Sequence, residues 1–403
     1  MSDNIMRQVG RRANRPNPWP LYAQLRQDRV VRLEEHRYAI GRYDDVVALL
    51  HDPRVSSDPH NLADPGETLL LDSAPFIQTD PPVHDRLRRE ATRFFGPPVS
   101  PDVVTGLEPE IDRLIGTLIS AFPGSGEVDV VDDFAYPLPV EVICRLLGVP
   151  PADEPQFQGW AEAAVGGLDA ADLEDSEEAT KRRQEGLLAL FAYLGELIKK
   201  HRAHPDGSML SGLANDHRPD AMGDTDLQVT GALLLVAGHE TTVNLITNGT
   251  LTLLRNPDAL ARLRREPAWA VPVVEELLRL EPPVQYLPNR TALADITIAG
   301  TTIPKGSLLV LLLAAASRDP GRFPHPDRFD PDRPDNQHLG FGSGLHYCFG
   351  APLARLEVQL ALAALASRLD NPRLIEDPPP YRPSPVLRGP RHLRVAYDAR
   401  RTR

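Results

Sequence analysis

The chain has 403 residues, of which 41% are hydrophobic and 25% charged, so neither wholesale disorder nor a fibrous repeat is indicated. Its formal net charge of −12 argues against a general nucleic-acid or anionic-membrane binder, because both surfaces would repel it. The two cysteines, Cys144 and Cys348, exclude a disulfide framework and any four-cysteine zinc or iron–sulfur site. At least one of these cysteines is therefore expected to have a role other than in a disulfide framework or a four-cysteine metal site.

The first 20 residues contain Arg and Asn rather than an apolar stretch, so they predict neither a secretory signal nor a membrane anchor. The longest apolar runs, residues 232–237 and 308–316, are much shorter than the roughly 20 residues that cross a bilayer. We therefore expect a cytoplasmic protein that binds no membrane and no nucleic acid. Residues 1–17 are expected to form a flexible arm.

In chain order, residues 30–40 predict two short strands around a polar turn, and a helix follows at about residues 43–50. Residues 56–79 are rich in Pro, Asp, Gly and Ser and predict a long irregular loop that could cover a substrate. Asp80 and the two prolines after it predict the start of a helix. Helical periodicity then dominates to about residue 256.

An unusually long helix is predicted over residues 224–255, capped by Asp224 or Thr225 and running through the core. After Pro282 the pattern changes to strands at residues 296–298, 301–303 and 308–312. A Pro-rich meander follows over residues 319–334, and a last long helix begins just after Cys348. No linker separates these parts, so we predict one mainly α domain over residues 1–403, with a small β-sheet portion near both sequence ends.

The segment around Cys348 is a glycine-rich loop, and its sequence over residues 341–350 is F-G-S-G-L-H-Y-C-F-G. The unpaired N–H groups and the dipole at a helix N-terminus favour thiolate over thiol, so this sulfur is suited to binding a metal. Gly342, Gly344 and Gly350 permit backbone turns that let a flat cofactor approach closely. The alternative is a buried structural cysteine beside a turn.

This loop resembles the signature F-x-x-G-x-x-x-C-x-G of the cytochrome P450 family, matched at Phe341, Gly344, Cys348 and Gly350. The resemblance extends over residues 18–393, with all motifs in the family's order. It implies the cytochrome P450 fold and a bacterial haem-thiolate monooxygenase of actinobacterial type. It also implies haem b as cofactor, Cys348 as the axial ligand of its iron, and dioxygen as co-substrate.

A polar step, A-G-H-E-T-T at residues 237–242, interrupts the apolar pattern of the long helix. Glycine weakens a helix and threonine hydroxyls compete for its carbonyls, so a local widening is predicted beside the metal. The resemblance implies that Glu240 and Thr241 are the family's acid–alcohol pair, which relays protons for dioxygen cleavage. The alternative is an ordinary polar step in a helix.

Glu276 and Arg279 are three residues apart and share a helix face. By itself this spacing indicates a surface ion pair of little energetic value. The resemblance implies instead the family's E-x-x-R motif, in which the pair is buried against an Arg of the meander. Arg333 is the matching candidate.

His84 and Arg88 are four residues apart on one predicted helix, so both can point at the same anionic group. The resemblance implies that this group is a haem propionate and that Arg290 and His346 have the same role. Each of these residues taken alone would more often be a solvated charge. The other cofactor contacts implied by the resemblance are Phe341, Gly342, Ala237 and Gly350.

Arg86, Arg89 and Arg93 lie on the face of that helix opposite His84 and are expected to be exposed. On an acidic protein they could form a basic stripe that meets an acidic electron donor. The expected donor is a ferredoxin or flavodoxin-type protein with its NAD(P)H reductase. A plain solvated face is an equally good interpretation.

By resemblance the substrate pocket is walled by residues that are mostly apolar and suit a hydrophobic natural product such as a macrolide, steroid, terpenoid or fatty acid. These residues are Phe76, Ile77, Leu234, Ala237, Gly238, Val284, Leu287, Val386 and Leu387. Ordinary core packing is the alternative for each of them. Residues 56–79 and 157–177 are expected to decide the substrate.

The expected reaction is the hydroxylation or epoxidation of that substrate. Two other functions are possible for such a chain. One is a peroxide-driven peroxygenase, although such enzymes typically lack the acid–alcohol pair. The other is a non-catalytic haem or small-ligand binding protein, and the intact pair at Glu240 and Thr241 argues against it.

Overall fold

The structure is a computed structural model that describes residues 2–62, 74–95, 101–153, 159–160 and 177–401. Helices dominate the described chain, and the prediction of a mainly α protein with small sheets is confirmed. The α-helices are Ser2–Gly10, Trp19–Leu25, Tyr43–Leu50, Val83–Thr92, Pro101–Gly106, Glu108–Ala121, Pro137–Leu147, Glu177–Ala203, Met209–Ala214, Asp224–Arg255, Pro257–Arg265, Ala270–Leu280, Leu313–Ala316 and Ala351–Arg368. Single short turns of 3-10 helix are Arg12–Asn14, Pro59–Asn61, Phe76–Gln78, Pro151–Asp153, Pro267–Trp269 and Gly344–His346, and Val131–Ala135 is a π-helical turn.

The described strands form one five-stranded sheet, one three-stranded sheet and two strand pairs. In the order of the five-stranded sheet, its strands are Val31–Glu34, Arg37–Ile40, Leu308–Leu311, Leu287–Ala292 and Val55–Ser56. The three-stranded sheet consists of Arg373–Leu374, Arg394–Tyr397 and Gly126–Asp129. The two pairs are Ile296–Ile298 with Thr301–Ile303, and Leu369–Asp370 with Ala399–Arg400.

The chain divides into two compact units. The first, which we call the sheet unit, comprises Met1–Val55, Pro109–Leu138 and Glu240–Arg403, and the second, the helical unit, comprises Ser56–Glu108 and Pro139–His239. The long helix Asp224–Arg255 begins in the helical unit and ends in the sheet unit.

The core of the sheet unit lies on both faces of the five-stranded sheet. Successive strand residues point to opposite faces, so Leu309 belongs to the cluster that includes the helix Tyr43–Leu50, whereas Val310 packs with the helix Trp19–Leu25. The burial of alternate residues in Val31–Glu34 follows the same rule. Both faces of the inner strands are therefore covered, whereas the edge strand Val31–Glu34 has one exposed face.

By length and composition the long helix could cross a membrane, but 72% of its most apolar stretch is buried inside the protein. Such burial is typical of a core helix, as the sequence predicts. The helix is α-helical throughout residues 224–255, so the widening predicted at residues 237–242 is absent from this described segment. Threonine hydroxyls do not by themselves open this helix, since Thr247 donates to the carbonyl of Val243 at 3.0 Å in a segment that stays α-helical.

The N-terminal segment differs from the flexible arm that the sequence predicts. Residues 2–10 form a helix, and Val9 is buried in the sheet unit. Arg15 is also buried, and its guanidinium donates to the carbonyls of Val9, Gly10 and Pro383. The bond to Pro383 holds the segment against the C-terminal part of the chain.

The helix that carries His84 begins at Val83, later than its predicted start at Asp80. The Asp80 carboxylate is not its cap, because it accepts hydrogen bonds from the hydroxyl of Ser56 and the backbone N–H of Ser57. The predicted loop at 56–79 contains two 3-10 turns in its described parts. Residues 63–73 of this loop and most of segment 157–177 lie outside the described residues.

Candidate functional site

The loop that carries Cys348 is closed on itself. The backbone N–H of Cys348 donates to the carbonyl of Phe341 at 2.9 Å, and that of Tyr347 donates to the carbonyl of Gly344 at 3.1 Å. The helix Ala351–Arg368 then begins three residues after the cysteine, with Gly350 at its N-cap position. The structure therefore places a half-buried thiol at the start of a helix, as the sequence predicts.

Two glycines of this loop have a left-handed backbone. Gly342 and Gly344 both have φ of +69°, which glycine adopts at little cost. A Cβ on Gly344 would lie 2.2 Å from the carbonyl oxygen of Leu50. The sequence predicts that Gly344 makes room for a cofactor, whereas in the structure it makes room for the backbone at the end of the helix Tyr43–Leu50.

Gly350 is different, because no heavy atom lies within 4 Å of the position of its Cβ. A flat group can approach the backbone closely at such a residue. Together with a half-buried thiol at a helix N-terminus, which favours the thiolate form, this geometry fits a planar cofactor whose metal takes one sulfur ligand. The residues present are therefore compatible with haem.

Glu276 and Arg279 form a fully buried ion pair that ties their helix to the meander. Arg279 donates to both oxygens of Glu276, at 2.8 and 2.7 Å, and both side chains have an exposed fraction of 0%. Arg333 approaches the same carboxylate at 3.5 Å. The remaining hydrogen bonds of Arg279 go to the carbonyls of Ser317, Pro326 and Arg328. The structure thus brings together the three residues expected from the E-x-x-R motif.

Glu240 and Thr241 lie in the half of the long helix that belongs to the sheet unit. Glu240 is buried, and its Oε1 lies 3.6 Å from Nη1 of Arg382, on the C-terminal segment. The backbone N–H of Arg382 donates to the carbonyl of Gly389 at 3.0 Å, which anchors that segment. Sequence reasoning missed Arg382, because it lies outside every recognised motif and no local pattern pairs it with Glu240.

The four predicted propionate ligands are distributed over three elements. His84 and Arg88 lie one turn apart on the helix Val83–Thr92 of the helical unit, with His84 buried and its Nδ1 2.9 Å from a carboxylate oxygen of Asp85. In the sheet unit, Arg290 lies on the strand Leu287–Ala292 and His346 ends the 3-10 turn of the cysteine loop. Arg88, Arg290 and His346 are half-buried.

The predicted basic stripe is accessible but largely neutralised. Arg86 pairs with Asp226 at 2.9 Å and Arg89 with Asp220 at 3.3 Å, while Arg93 lies 3.6 Å from a carboxylate oxygen of Glu90. Each of the three arginines thus has an acid nearby, although Glu90 is shared with Arg218, so this face carries less positive charge than a bare basic stripe would. The sequence could not reveal this because two of the three acids come from a distant part of the chain.

The residues proposed to contact substrate differ in their environments. In the helical unit, Phe76 is fully buried, which fits core packing, whereas Ile77 next to it is 39% exposed. In the sheet unit, Val284 and Leu387 are paired by a backbone bridge, so two of the predicted residues are adjacent. Leu234 is buried, Ala237 is exposed, and Gly238, Leu287 and Val386 are half-buried.

Comparison with known proteins identifies the family to which this chain is similar. The cytochrome P450 family model matches residues 268–392. The chain is 36% identical over 397 residues to vitamin D(3) 25-hydroxylase of Pseudonocardia autotrophica, covering 95% of this chain and 94% of that protein. It is 34% identical over 397 residues to 6-deoxyerythronolide B hydroxylase of Saccharopolyspora erythraea, with coverages of 94% and 95%.

Among solved structures, ligand-free CYP164A2 of Mycobacterium smegmatis superimposes with a TM-score of 0.88 at 39% identity, covering 98% of this chain and 100% of that one. Both the sequence and the fold therefore match over almost the whole length. The chain belongs to the cytochrome P450 family and is a monooxygenase that uses haem b as its cofactor and dioxygen as its co-substrate.

Proposed function

We propose that the thiolate of Cys348 is the axial ligand of the haem iron and that the enzyme inserts one oxygen atom into a hydrophobic natural product, by hydroxylation or epoxidation. The observation that carries this proposal is the closed cysteine loop, in which Cys348 N–H binds the carbonyl of Phe341 just before a helix begins. Bound haem supplies the iron centre at which dioxygen is activated. Phe341, Gly342, Gly350 and Ala237 would line the cofactor.

Glu240 and Thr241 are proposed to deliver protons. A carboxylate followed by a hydroxyl on one helix can pass protons in order through water. Arg382 lies 3.6 Å from Glu240 and is proposed to hold its carboxylate toward the C-terminal segment before proton transfer. This pair supports a monooxygenase that receives electrons and protons separately, rather than a peroxide-driven enzyme.

Four residues are proposed to bind the haem propionates, namely His84, Arg88, Arg290 and His346. Arg suits a carboxylate because its guanidinium can donate two parallel hydrogen bonds. Glu276, Arg279 and Arg333 are proposed to act structurally, by holding the meander in place. These assignments come from motif positions and from the burial described above.

The proposed substrate is a medium-to-large hydrophobic compound, contacted by some of the nine apolar residues predicted from the sequence. The names of two relatives point in this direction, since one is a hydroxylase of vitamin D(3) and the other of 6-deoxyerythronolide B. The proposed electron source is a ferredoxin or flavodoxin-type protein with its NAD(P)H reductase. Such an enzyme would work in the cytoplasm.

The ligand assignment is tested by the spectrum of the reduced protein with carbon monoxide. We expect the red-shifted Soret band of a thiolate ligand in the wild type and in Cys144→Ala, which removes the other, fully buried cysteine. Cys348→Ser should lose that band. Persistence of the band in Cys348→Ser would refute the assignment.

The reaction is tested in two steps. A spectral binding screen of hydrophobic compounds identifies ligands that displace iron-bound water. Turnover of those ligands is then compared with a ferredoxin system and with peroxide alone. Product formation that depends on the ferredoxin system is expected, whereas equal turnover with peroxide would favour the peroxygenase.

A further inference from the structure

A second carboxylate, adjacent to Glu276, binds a different part of the molecule. Glu275 and Glu276 are neighbours on the helix Ala270–Leu280, and successive helix residues point about 100° apart. Glu276 faces Arg279 and the meander. Glu275 instead binds Arg355 and His338, which lie on either side of the cysteine loop.

Arg355 is held by Glu275 in a bidentate arrangement. Its Nε donates to one carboxylate oxygen at 2.7 Å and its Nη2 to the other at 2.9 Å. Two parallel hydrogen bonds fix the plane of a guanidinium as well as its position. Arg355 lies on the helix that follows Cys348, so Glu275 anchors the first turns of that helix.

The fixed guanidinium contacts the cysteine loop twice. Its Cζ lies 4.6 Å from the ring centroid of Phe341, within the range of a cation–π interaction. Its Nη1 also donates to the hydroxyl of Tyr347, the residue before Cys348, at 3.1 Å. Phe341 and Tyr347 are themselves in edge contact, with centroids 6.3 Å apart.

His338 connects Glu275 to the beginning of the same loop. Its Nδ1 accepts a hydrogen bond from the backbone N–H of Gly340 at 3.1 Å, which leaves Nε2 to donate to Glu275 at 3.1 Å. The ring of His338 also packs on Phe341, with centroids 6.1 Å apart. Glu275 therefore holds the chain both before and after the cysteine.

Burial of Glu275 would raise its pKa, but the hydrogen bonds from Arg355 and His338 outweigh this effect and lower the pKa to about 2. Glu275 is thus ionised at neutral pH. A charged carboxylate forms stronger and more directional hydrogen bonds than a neutral group of the same shape. The contacts on both sides of the loop therefore depend on its charge.

We propose that Glu275 is a positioning residue for Cys348, acting through Arg355, His338 and Phe341. The carbonyl of Phe341 accepts the N–H of Cys348, so a displaced Phe341 changes the direction in which the cysteine points. This inference rests on the proposed role of Cys348 as the haem ligand. It assigns to Glu275 a function separate from that of its neighbour Glu276.

The test compares the haem-loaded wild type with Glu275→Gln, which keeps the shape of the side chain and removes its charge. The matched control is Asp332→Asn, because Asp332 also accepts from an Arg and a ring N–H, namely Arg262 at 2.6 Å and Trp269 at 3.0 Å, both outside the cysteine loop. Two properties are measured: the fraction of the carbon monoxide complex with the thiolate-type Soret band, and the rate of haem loss to excess apomyoglobin.

Glu275→Gln is expected to lower the thiolate fraction and to speed haem loss about 10-fold, as is typical when a residue that orients a metal ligand is changed. Asp332→Asn should leave both properties at the wild-type level. Arg355→Lys, which keeps the charge but loses the planar fork, should reproduce the effect. The effect of the double variant should be smaller than the sum of the two single effects, because both changes break the interaction between Glu275 and Arg355.

The proposal is overturned if Glu275→Gln matches the wild type, or if Asp332→Asn changes both properties equally, since that would indicate general destabilisation. Should Glu275→Gln not fold, Arg355→Lys decides by the same two measurements. A wild-type protein without the thiolate band would instead contradict the proposed function itself, so the two failures are distinguishable.

Discussion

The carboxylate of Glu276 accepts hydrogen bonds from Nε and Nη2 of Arg279 at 2.8 and 2.7 Å, and neither side chain is exposed to solvent. Two charges three residues apart on a helix are usually found at the surface. Here three carbonyls accept from Arg279, while the backbone N–H of Asp330 and the side-chain amide of Asn336 donate to Glu276. These hydrogen bonds make the burial of the pair tolerable. The pair therefore stabilises the meander only as long as both partners are present.

Glu276→Ala is expected to yield mainly haem-free or aggregated protein. Removing one partner of a buried ion pair costs about 3–5 kcal/mol, because the other charge stays buried without compensation. That is a large part of the roughly 5–15 kcal/mol that stabilises a typical protein. The measurement is the ratio of haem to soluble protein after purification.

The matched control for this variant is Glu196→Ala, which breaks an exposed pair of the same three-residue spacing between Lys199 and Glu196. Such a pair contributes less than about 1 kcal/mol, so its haem content should equal that of the wild type. Normal haem content in Glu276→Ala would contradict the structural role proposed for the pair.

Thr241→Ala is expected to raise the amount of peroxide released per NAD(P)H consumed, because it would break the proton path proposed to run through this hydroxyl. Thr250→Ala is the control, since its hydroxyl binds the carbonyl of Ile246 within the same helix at 2.8 Å. Coupling is measured as product and peroxide formed per NAD(P)H in a reconstituted system. Unchanged coupling in Thr241→Ala would show that this hydroxyl does not guide proton delivery.

Glu357→Gln is expected to stabilise the protein increasingly as the pH rises. Burial raises the pKa of the Glu357 carboxyl from 4.5 to about 8. Below the unfolded-state pKa the carboxyl is neutral in both states, so it costs the folded protein no ionisation energy. That advantage is lost as the pH rises from the unfolded-state pKa through about 8. Glutamine stays neutral, so its advantage should grow between pH 5 and pH 8 and reach a few kcal/mol.

This advantage is measured as the difference in free energy of unfolding by urea at pH 5, 6.5 and 8. A difference that is independent of pH would contradict the raised pKa of the Glu357 carboxyl.

Gly344→Ala is expected to displace the cysteine loop and to reduce the thiolate-type carbon monoxide band. The new Cβ would lie 2.2 Å from the carbonyl oxygen of Leu50, and the left-handed φ of +69° adds about 1–2 kcal/mol. Gly306→Ala separates the two effects, since Gly306 has φ of +82° but no atom within 4 Å of its Cβ position. A Gly344→Ala protein with a spectrum like that of Gly306→Ala would show that the clash is relieved elsewhere.

Much of the local structure follows from the sequence. The long helix is observed at Asp224–Arg255, and two strands are observed at Ile296–Ile298 and Thr301–Ile303, as predicted. Hydrophobic periodicity and turn residues act over a few neighbours, so they can be read directly from the chain. The strand Gly126–Asp129 was not predicted, because it pairs with Arg394–Tyr397 from the opposite end of the chain.

The sequence by itself determined the family, the motif around the cysteine and the spacing of the charged motifs, because each depends on residues that are close together in the chain. Only the tertiary structure decided that Arg382 lies beside Glu240 and that Glu275 binds Arg355. It also decided that Arg86 and Arg89 pair with acids. Each of these partners is distant in sequence. Ion pairs of this kind form when folding brings the two side chains together, and no local pattern records which charge will meet which.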